Sequence, residues 1–166
     1  MAPFIILLAA FGLLFVVNQS LLEGGLSLAS IGRASLALML VATGITHFTS
    51  TGPMVEMMPE AVPMKRGIVY LTGVLELLAV VGLLVDRLSR LTAVLLVVFF
   101  IVVLPANIAG SLKRVPLGGM ENGPLYLFFR IPLQALFIFW AYYFGVRNNR
   151  RAASGTTRAI TQKPSD

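Results

Sequence analysis

Five apolar runs, each close to the length of a bilayer crossing, follow one another in this chain with little sequence between them. They cover about residues 3–17, 31–49, 67–85, 88–108 and 125–146. Inside a bilayer no water bonds to the backbone, so every N–H and C=O needs a partner from the protein, which only helices and closed barrels supply. A helix spans the hydrocarbon in about 20 residues and a strand in about ten, so runs of this length read as helices. The 166 residues have room for four or five such spans and short loops, which means one membrane domain and no separate soluble catalytic domain. Only 12% of the residues are charged and 57% are hydrophobic, whereas roughly a quarter would be charged in an ordinary soluble domain.

The first run is short, is flanked by Asn18, Gln19 and Ser20 and extended by Leu21 and Leu22, and lacks the basic stretch that opens a signal peptide. An uncleaved extra helix is the preferred reading, with cleavage near Ala29 and Ser30 as the alternative. The expected organisation is therefore an N-terminal hydrophobic segment (residues 1–30), a four-helix membrane domain (residues 31–146) and a polar, basic tail (residues 147–166) that reads as disordered. The fold class is an all-α integral membrane protein: a four-helix transmembrane bundle with an additional N-terminal helix. The aromatic cluster Trp140, Tyr142, Tyr143 and Phe144 at the end of the last run suits the headgroup interface.

The net charge of +6 is carried at segment ends and in the tail, a distribution that fits topology and anionic lipid rather than nucleic acid. The tail holds Arg147, Arg150, Arg151, Arg158 and Lys163, and the positive-inside rule assigns it to the cytoplasm together with Arg33, Arg87 and Arg90. Lys65, Arg66, Lys113 and Arg114 then face outward, so eight Lys/Arg lie inside against four outside, with Arg130 left within a span. The chain contains no cysteine and one histidine. That excludes disulfides, thiol relays, thiolate metal sites and bis-histidine haem ligation.

Against this apolar background His47, Glu76, Asn107 and Arg130 stand out, one in or beside each of the last four runs. An ionisable group near the centre of a membrane helix costs on the order of 2.5–3.5 kcal/mol on insertion scales, and it normally faces a partner or a water-filled cavity. Alternating helix direction brings all four to one half of the bundle. His47 lies near the end of an ascending helix, and Glu76 about nine residues into the next, roughly 13–14 Å down. Asn107 follows Pro105 at the far end of the third helix of the set, and Arg130 lies early in the fourth with Gln134 one turn deeper on the same face. Thr43 shares a face with His47 and Thr72 with Glu76, while Gly44, Gly73 and Gly82 permit close helix approach. Pro105 frees the carbonyl of Ile101 and Pro132 that of Phe128, so kinks are expected beside the polar groups.

These residues have plainer readings too. Glu76 with Arg130 makes a structural ion pair that fixes helix register; His47 is an interfacial packing residue; Asn107 caps a helix end; Gln134 is an interhelical donor. The loops rich in Gly and Pro (Gly52, Pro53, Pro59 and Pro63 in one, Pro116, Gly118, Gly119, Gly123 and Pro124 in the other) are either a lid over an outward-facing cavity or ordinary connections.

The stretches GITHF (44–48), Met58 with Pro59, TGVLELLAVVGLL (72–84), PANI (105–108) and RIPLQ (130–134) resemble, in that order, the DoxX-like family of small membrane proteins. The resemblance spans about residues 31–140 and implies a four-helix bundle in the bacterial plasma membrane, linked to respiratory or oxidative-stress redox systems. The segment before residue 31 departs from that four-helix pattern. His47, Glu76, Asn107 and Arg130 match recurrent polar positions of the family, which carry no agreed catalytic roles.

The leading expectation is a non-catalytic membrane subunit, at most part of an oxidoreductase, that holds a lipophilic or small ligand such as a quinone. Its pocket would be lined by His47, Glu76, Asn107, Arg130 and Gln134. Its partners would be the lipid bilayer, a redox enzyme and further copies of itself, with no nucleic acid. A small transporter or channel using the same cavity, and a structural or assembly protein whose polar groups only lock the helices, are the alternatives. Neither a nucleophile–base pair nor a metal ligand set is legible in the spacing, so no catalytic or metal-ligating residue is assigned.

Overall fold

The computed structural model describes residues 2–147. The tail that reads as disordered and cytoplasmic lies, from residue 148 onward, outside the described residues. The helices are α1 (Ala2–Ser20), α2 (Leu28–Thr49), the short α3 (Thr51–Glu56), α4 (Lys65–Leu84), α5 (Asp86–Val102), α6 (Leu104–Leu112) and α7 (Leu127–Trp140). A 3-10 segment, Met120–Tyr126, leads into α7, and a π-helical stretch, Ala141–Arg147, continues it. Five stretches are long and apolar enough to cross a membrane: Ala2–Ser20, Leu28–Thr49, Lys65–Leu84, Asp86–Leu112 and Met120–Arg147. The molecule is an all-α membrane bundle in which α1 is the additional helix.

Local chemistry sets the element ends. Ser27 caps α2, its hydroxyl accepting the Ser30 N–H at 3.1 Å, a cap worth about 1 kcal/mol. Asn18 closes the α1–α2 turn from both sides: its Oδ1 accepts the Leu26 N–H at 2.8 Å and its Nδ2 donates to the Leu26 carbonyl at 3.2 Å. The fourth apolar run is not one helix ending near residue 108 but two, broken at Val103. Pro105 has no N–H and its ring clashes with a carbonyl four residues back, so it is tolerated only in a first turn, which is where α6 holds it. The new helix runs on to Leu112, and Asn107 lies inside it rather than capping an end.

Consecutive spans run antiparallel, and the heaviest packing joins α2 to α4. Glycine makes that crossing close. A methyl group on Gly44 would meet Leu77 Cδ2 at 2.9 Å, and one on Gly73 would meet His47 Cβ at 2.6 Å. Gly82 plays the same part between α4 and α5, against Thr92.

The bundle has two unlike halves. The half at the Asp86 end is a closed apolar core of Leu36, Leu40, Leu83, Ala93, Leu96 and Phe137. Trp140 and Phe144 are buried there too, and Tyr142 alone of that aromatic cluster is exposed. Gly32 provides the room, because the Phe144 ring fills the place of its missing side chain. The indole N–H of Trp140 is satisfied by the Gly32 carbonyl at 3.0 Å. Phe11 of α1 meets Trp140 edge-on at 5.0 Å, and Leu7 is fully buried, so the extra helix is docked on the bundle. At the rim of this half Arg33, a topology marker in the sequence, is buried and pairs with the exposed Asp86 at 2.8 Å. The apolar faces turned outward, such as Leu71, Leu75, Leu78 and Val81 on α4, are the surface a bilayer would wet.

Candidate functional site

The other half, at the His47 end, holds the polar groups. Glu76 of α4 is buried and meets two residues of α2: the Thr43 hydroxyl donates to Oε2 at 2.5 Å, and His47 Nε2 lies 3.3 Å from Oε1. His47 in turn points Nδ1 at the Val69 carbonyl, 3.0 Å away, and at the Thr72 hydroxyl oxygen, 3.1 Å away. The side chains cross: the threonine on each helix faces the ionisable residue of the other. Thr43 and Thr72 both also reach carbonyls of their own helices, as threonines in apolar helices do when no water is at hand.

The network fixes how the imidazole is oriented. A carbonyl oxygen only accepts, and the Thr72 hydroxyl already donates to backbone carbonyls at 2.9 Å, so Nδ1 is the donor toward Val69. Nε2 then faces a Glu76 carboxyl oxygen.

Arg130, in the first turn of α7, does not close the ion pair with Glu76 that the sequence suggests. Glu76 is already engaged by Thr43 and His47, and among the described residues no ion pair or hydrogen bond involves Arg130. Its charge acts on Glu76 and on Tyr126 across a gap. Its nitrogens are not sealed, since the sealed and unpartnered side-chain atoms are Arg33 Nε and Nη1 and Gln134 Oε1. Tyr126, one turn before Arg130, is buried with its ring against Phe129 at 5.9 Å, and no hydrogen bond to its hydroxyl occurs among the described residues. The turn that launches this segment needs Gly123, whose φ of 70° and ψ of −147° exclude a side chain in practice.

Gln134 and Asn107 serve the backbone. Gln134 Nε2 donates to the Phe100 carbonyl at 2.5 Å, bridging α7 to the last turn of α5 just before the break, while its Oε1 is buried without a partner. Asn107 Nδ2 donates to the Val103 carbonyl at 3.1 Å within its own helix. The direct cluster is therefore His47 and Glu76 with Thr43 and Thr72; Arg130 lies across a gap from Glu76 with Tyr126 near it, and Asn107 and Gln134 brace the α5–α6 break. Thr43, Thr72 and Tyr126 are the residues the sequence list lacked. The first two were legible from their i,i+4 relation to His47 and Glu76, whereas nothing marked Tyr126.

Both Gly- and Pro-rich loops cover this end of the molecule. Lys113 Nζ, after α6, donates to the carbonyls of Glu56 and Met58 at 3.3 and 2.9 Å, tying one loop to the other. Gly110 admits Met57 and the Met120 sulfur, which would lie 2.7 and 2.8 Å from an added methyl. An open cleft of about 720 Å³ lies between the loops, lined by Glu56, Glu60, Lys65, Lys113 and Arg114 among others.

Fold and site together define a multi-pass helical membrane protein that carries, in one half of its bundle, a histidine against a buried carboxyl group and an arginine with no ion pair or hydrogen bond among the described residues. A family model described as a domain of unknown function, DUF8561, matches residues 36–145, and the chain belongs to that family. The match takes in α2 from Leu36 through the π-helical stretch, hence every polar residue of the site, and leaves α1 outside. No curated protein and no solved structure matches the chain.

Proposed function

We propose that this protein is a membrane subunit without catalysis of its own. It holds a lipophilic or small ligand at the His47 end of its bundle and docks on a redox enzyme of a respiratory or oxidative-stress system, as a DoxX-like protein would. The observation that carries this reading is Arg130. A guanidinium in an apolar helix is costly, and among the described residues it has neither a hydrogen bond nor a counter-ion at contact distance. Its donors are free for a bound ligand. In the neighbouring His47–Glu76 pair, the histidine would donate to a ligand carbonyl and the carboxyl would accept or relay a proton.

A quinone is the candidate ligand. Its carbonyl oxygens would accept from Arg130 and Tyr126, and its apolar tail would lie between helices in the lipid. The distribution of Lys and Arg supports a cytoplasmic tail and therefore a ligand site in the outer half of a bacterial plasma membrane, under the two joined loops. Transport has less support, because Leu36, Leu40, Leu96 and Phe137 fill the Asp86 half and leave no polar path through it.

Native mass spectrometry of the protein purified in mild detergent tests the proposal, with the Arg130→Ala variant beside it. A quinone or other small lipophilic molecule bound to the wild type and absent from a folded Arg130→Ala variant supports a ligand-holding subunit. A wild type that carries lipid alone at every detergent concentration removes the proposal.

A further inference from the structure

The cleft between the two loops is a separate place from the polar cluster, since neither His47, Glu76 nor Arg130 lines it. Its lining carries both signs of charge, sorted by origin. Glu56 ends α3 and Glu60 follows in the first loop, whereas Lys113 and Arg114 follow α6 in the second, and Lys65 opens α4. These groups do not neutralise one another: the ion pairs among the described residues are Arg33–Asp86 and His47–Glu76. Lys113 directs its ammonium at the backbone instead, to the carbonyls of Glu56 and Met58 at 3.3 and 2.9 Å. That bond fixes the acidic stretch against the basic one and leaves both carboxylates exposed.

The basic side is suited to a phosphate. Arg114 has a φ of 56°, in the left-handed region that a non-glycine residue rarely adopts. Gly123 makes room for its side chain, because a methyl group there would lie 3.1 Å from Arg114 Nε. Lys65 is the first residue of α4, and that helix start has no side-chain cap, so its first N–H groups are left to solvent or a ligand. Free N–H groups at a helix start beside cations favour an anion. The spans set the depth: Lys65 begins the span Lys65–Leu84 and Lys113 follows the span Asp86–Leu112, which puts the cleft at headgroup level. Its volume of about 720 Å³ is that of a small-molecule site rather than a protein interface.

We infer that this cleft binds a phosphate ester bearing a primary ammonium, the headgroup chemistry of an aminophospholipid such as phosphatidylethanolamine. Lys65, Arg114 and the start of α4 receive the phosphate, and Glu56 and Glu60 receive the ammonium. A choline headgroup has no N–H for the carboxylates, and a glycerol headgroup has no cation.

The test is native mass spectrometry of the protein in mild detergent, titrated with phosphatidylethanolamine, phosphatidylcholine and phosphatidylglycerol of identical acyl chains. The wild type is expected to bind the ethanolamine lipid about fivefold more tightly than either of the others, the upper end for one water-exposed ion pair. The double variant Glu56→Gln/Glu60→Gln should lose the preference over phosphatidylglycerol, and Arg114→Gln should weaken binding of the ethanolamine lipid. All three positions are exposed, so the variants keep the fold. Equal affinity of the wild type for the three lipids, or a preference that survives in the double variant, overturns the inference. Glycerophosphoethanolamine, the same headgroup without acyl chains, separates the sources. Displacement of the lipid at comparable concentration assigns the cleft to a free phosphodiester, and no displacement assigns it to the phospholipid. The inference stands apart from the quinone reading: a wild type that prefers the ethanolamine lipid and carries no quinone removes that reading and supports this one.

Discussion

Gly73 offers the sharpest handle on the α2–α4 crossing. A methyl group there would lie 2.6 Å from His47 Cβ, 3.0 Å from Phe48 Cε2 and 3.2 Å from His47 Cγ. Carbon atoms settle at about 3.5–4.0 Å, so Gly73→Ala asks the helices to part by about 1 Å, and the obstacle is a Cβ rigidly attached to backbone rather than a flexible tip. A separation of that size carries the His47 Nε2–Glu76 Oε1 distance from 3.3 Å to beyond hydrogen-bond reach. Overpacking of this kind costs about 1–3 kcal/mol, and alanine returns at most about 1 kcal/mol of helix propensity, which leaves a net loss of up to about 2 kcal/mol. Gly44→Ala is the control on the same interface, because its methyl would meet the mobile end of Leu77 at 2.9 Å and a rotamer change relieves it. Reversible unfolding in bicelles measures both variants, and imidazole nitrogen NMR reads the His47 contact. If Gly73→Ala matches Gly44→Ala in stability and leaves the His47 signals unmoved, the close crossing is not what seats the histidine.

The chain has a single histidine, so selective 15N labelling reports His47 alone. It should show a protonated Nδ1; a ring with bare Nδ1 would contradict the hydrogen-bond assignment. Glu76→Gln should unfold within about 1 kcal/mol of wild type, because the amide oxygen still accepts from Thr43 and the amide N–H can donate to neutral Nε2. Glu76→Leu strands that nitrogen and should lose about 1–3 kcal/mol, so equal losses in the two variants would refute the network. Gly32→Ala pushes the Phe144 ring out of its seat beside Trp140 and Phe11 and should cost about 1–3 kcal/mol. Gly12→Ala, with nothing within 4 Å, serves as its silent reference in the same unfolding assay.

The helical spans were legible because bilayer length and an unbroken apolar pattern admit few other folds, and the alternation of direction was enough to bring His47, Glu76 and Arg130 to one half. Pairing was another matter. Opposite charges on Glu76 and Arg130 made an ion pair the natural expectation, but contact at a helix crossing depends on which faces meet, and Gly44 and Gly73 bring α2 and α4 together first. His47 and Thr43 thereby reach Glu76 ahead of Arg130. The kink near Pro105 was anticipated from the missing N–H, whereas the restart of a helix beyond it, which turned Asn107 from an end into an interior position, depends on the docking of α6 against the loop at Met57. Trp140 and Phe144 looked interfacial by composition. The empty side of Gly32, on a helix more than a hundred residues earlier, is what turns them inward, and no local pattern announces it.

The central claim is that the polar site exists for a ligand and not to lock the helices, and Arg130→Met separates the two most directly. The substitution conserves much of the side-chain volume and removes a charge that has no protein partner among the described residues. Unfolding free energy and the occupancy of the co-purified ligand, read by native mass spectrometry, should be measured on the same preparation. The account predicts stability equal to or above wild type, together with an affinity about ten- to hundredfold weaker, the size of a lost charge-assisted hydrogen bond. A variant destabilised by about 2 kcal/mol or more, the scale of losing a buried partner, with ligand occupancy unchanged, would make Arg130 part of a structural lock and contradict the claim.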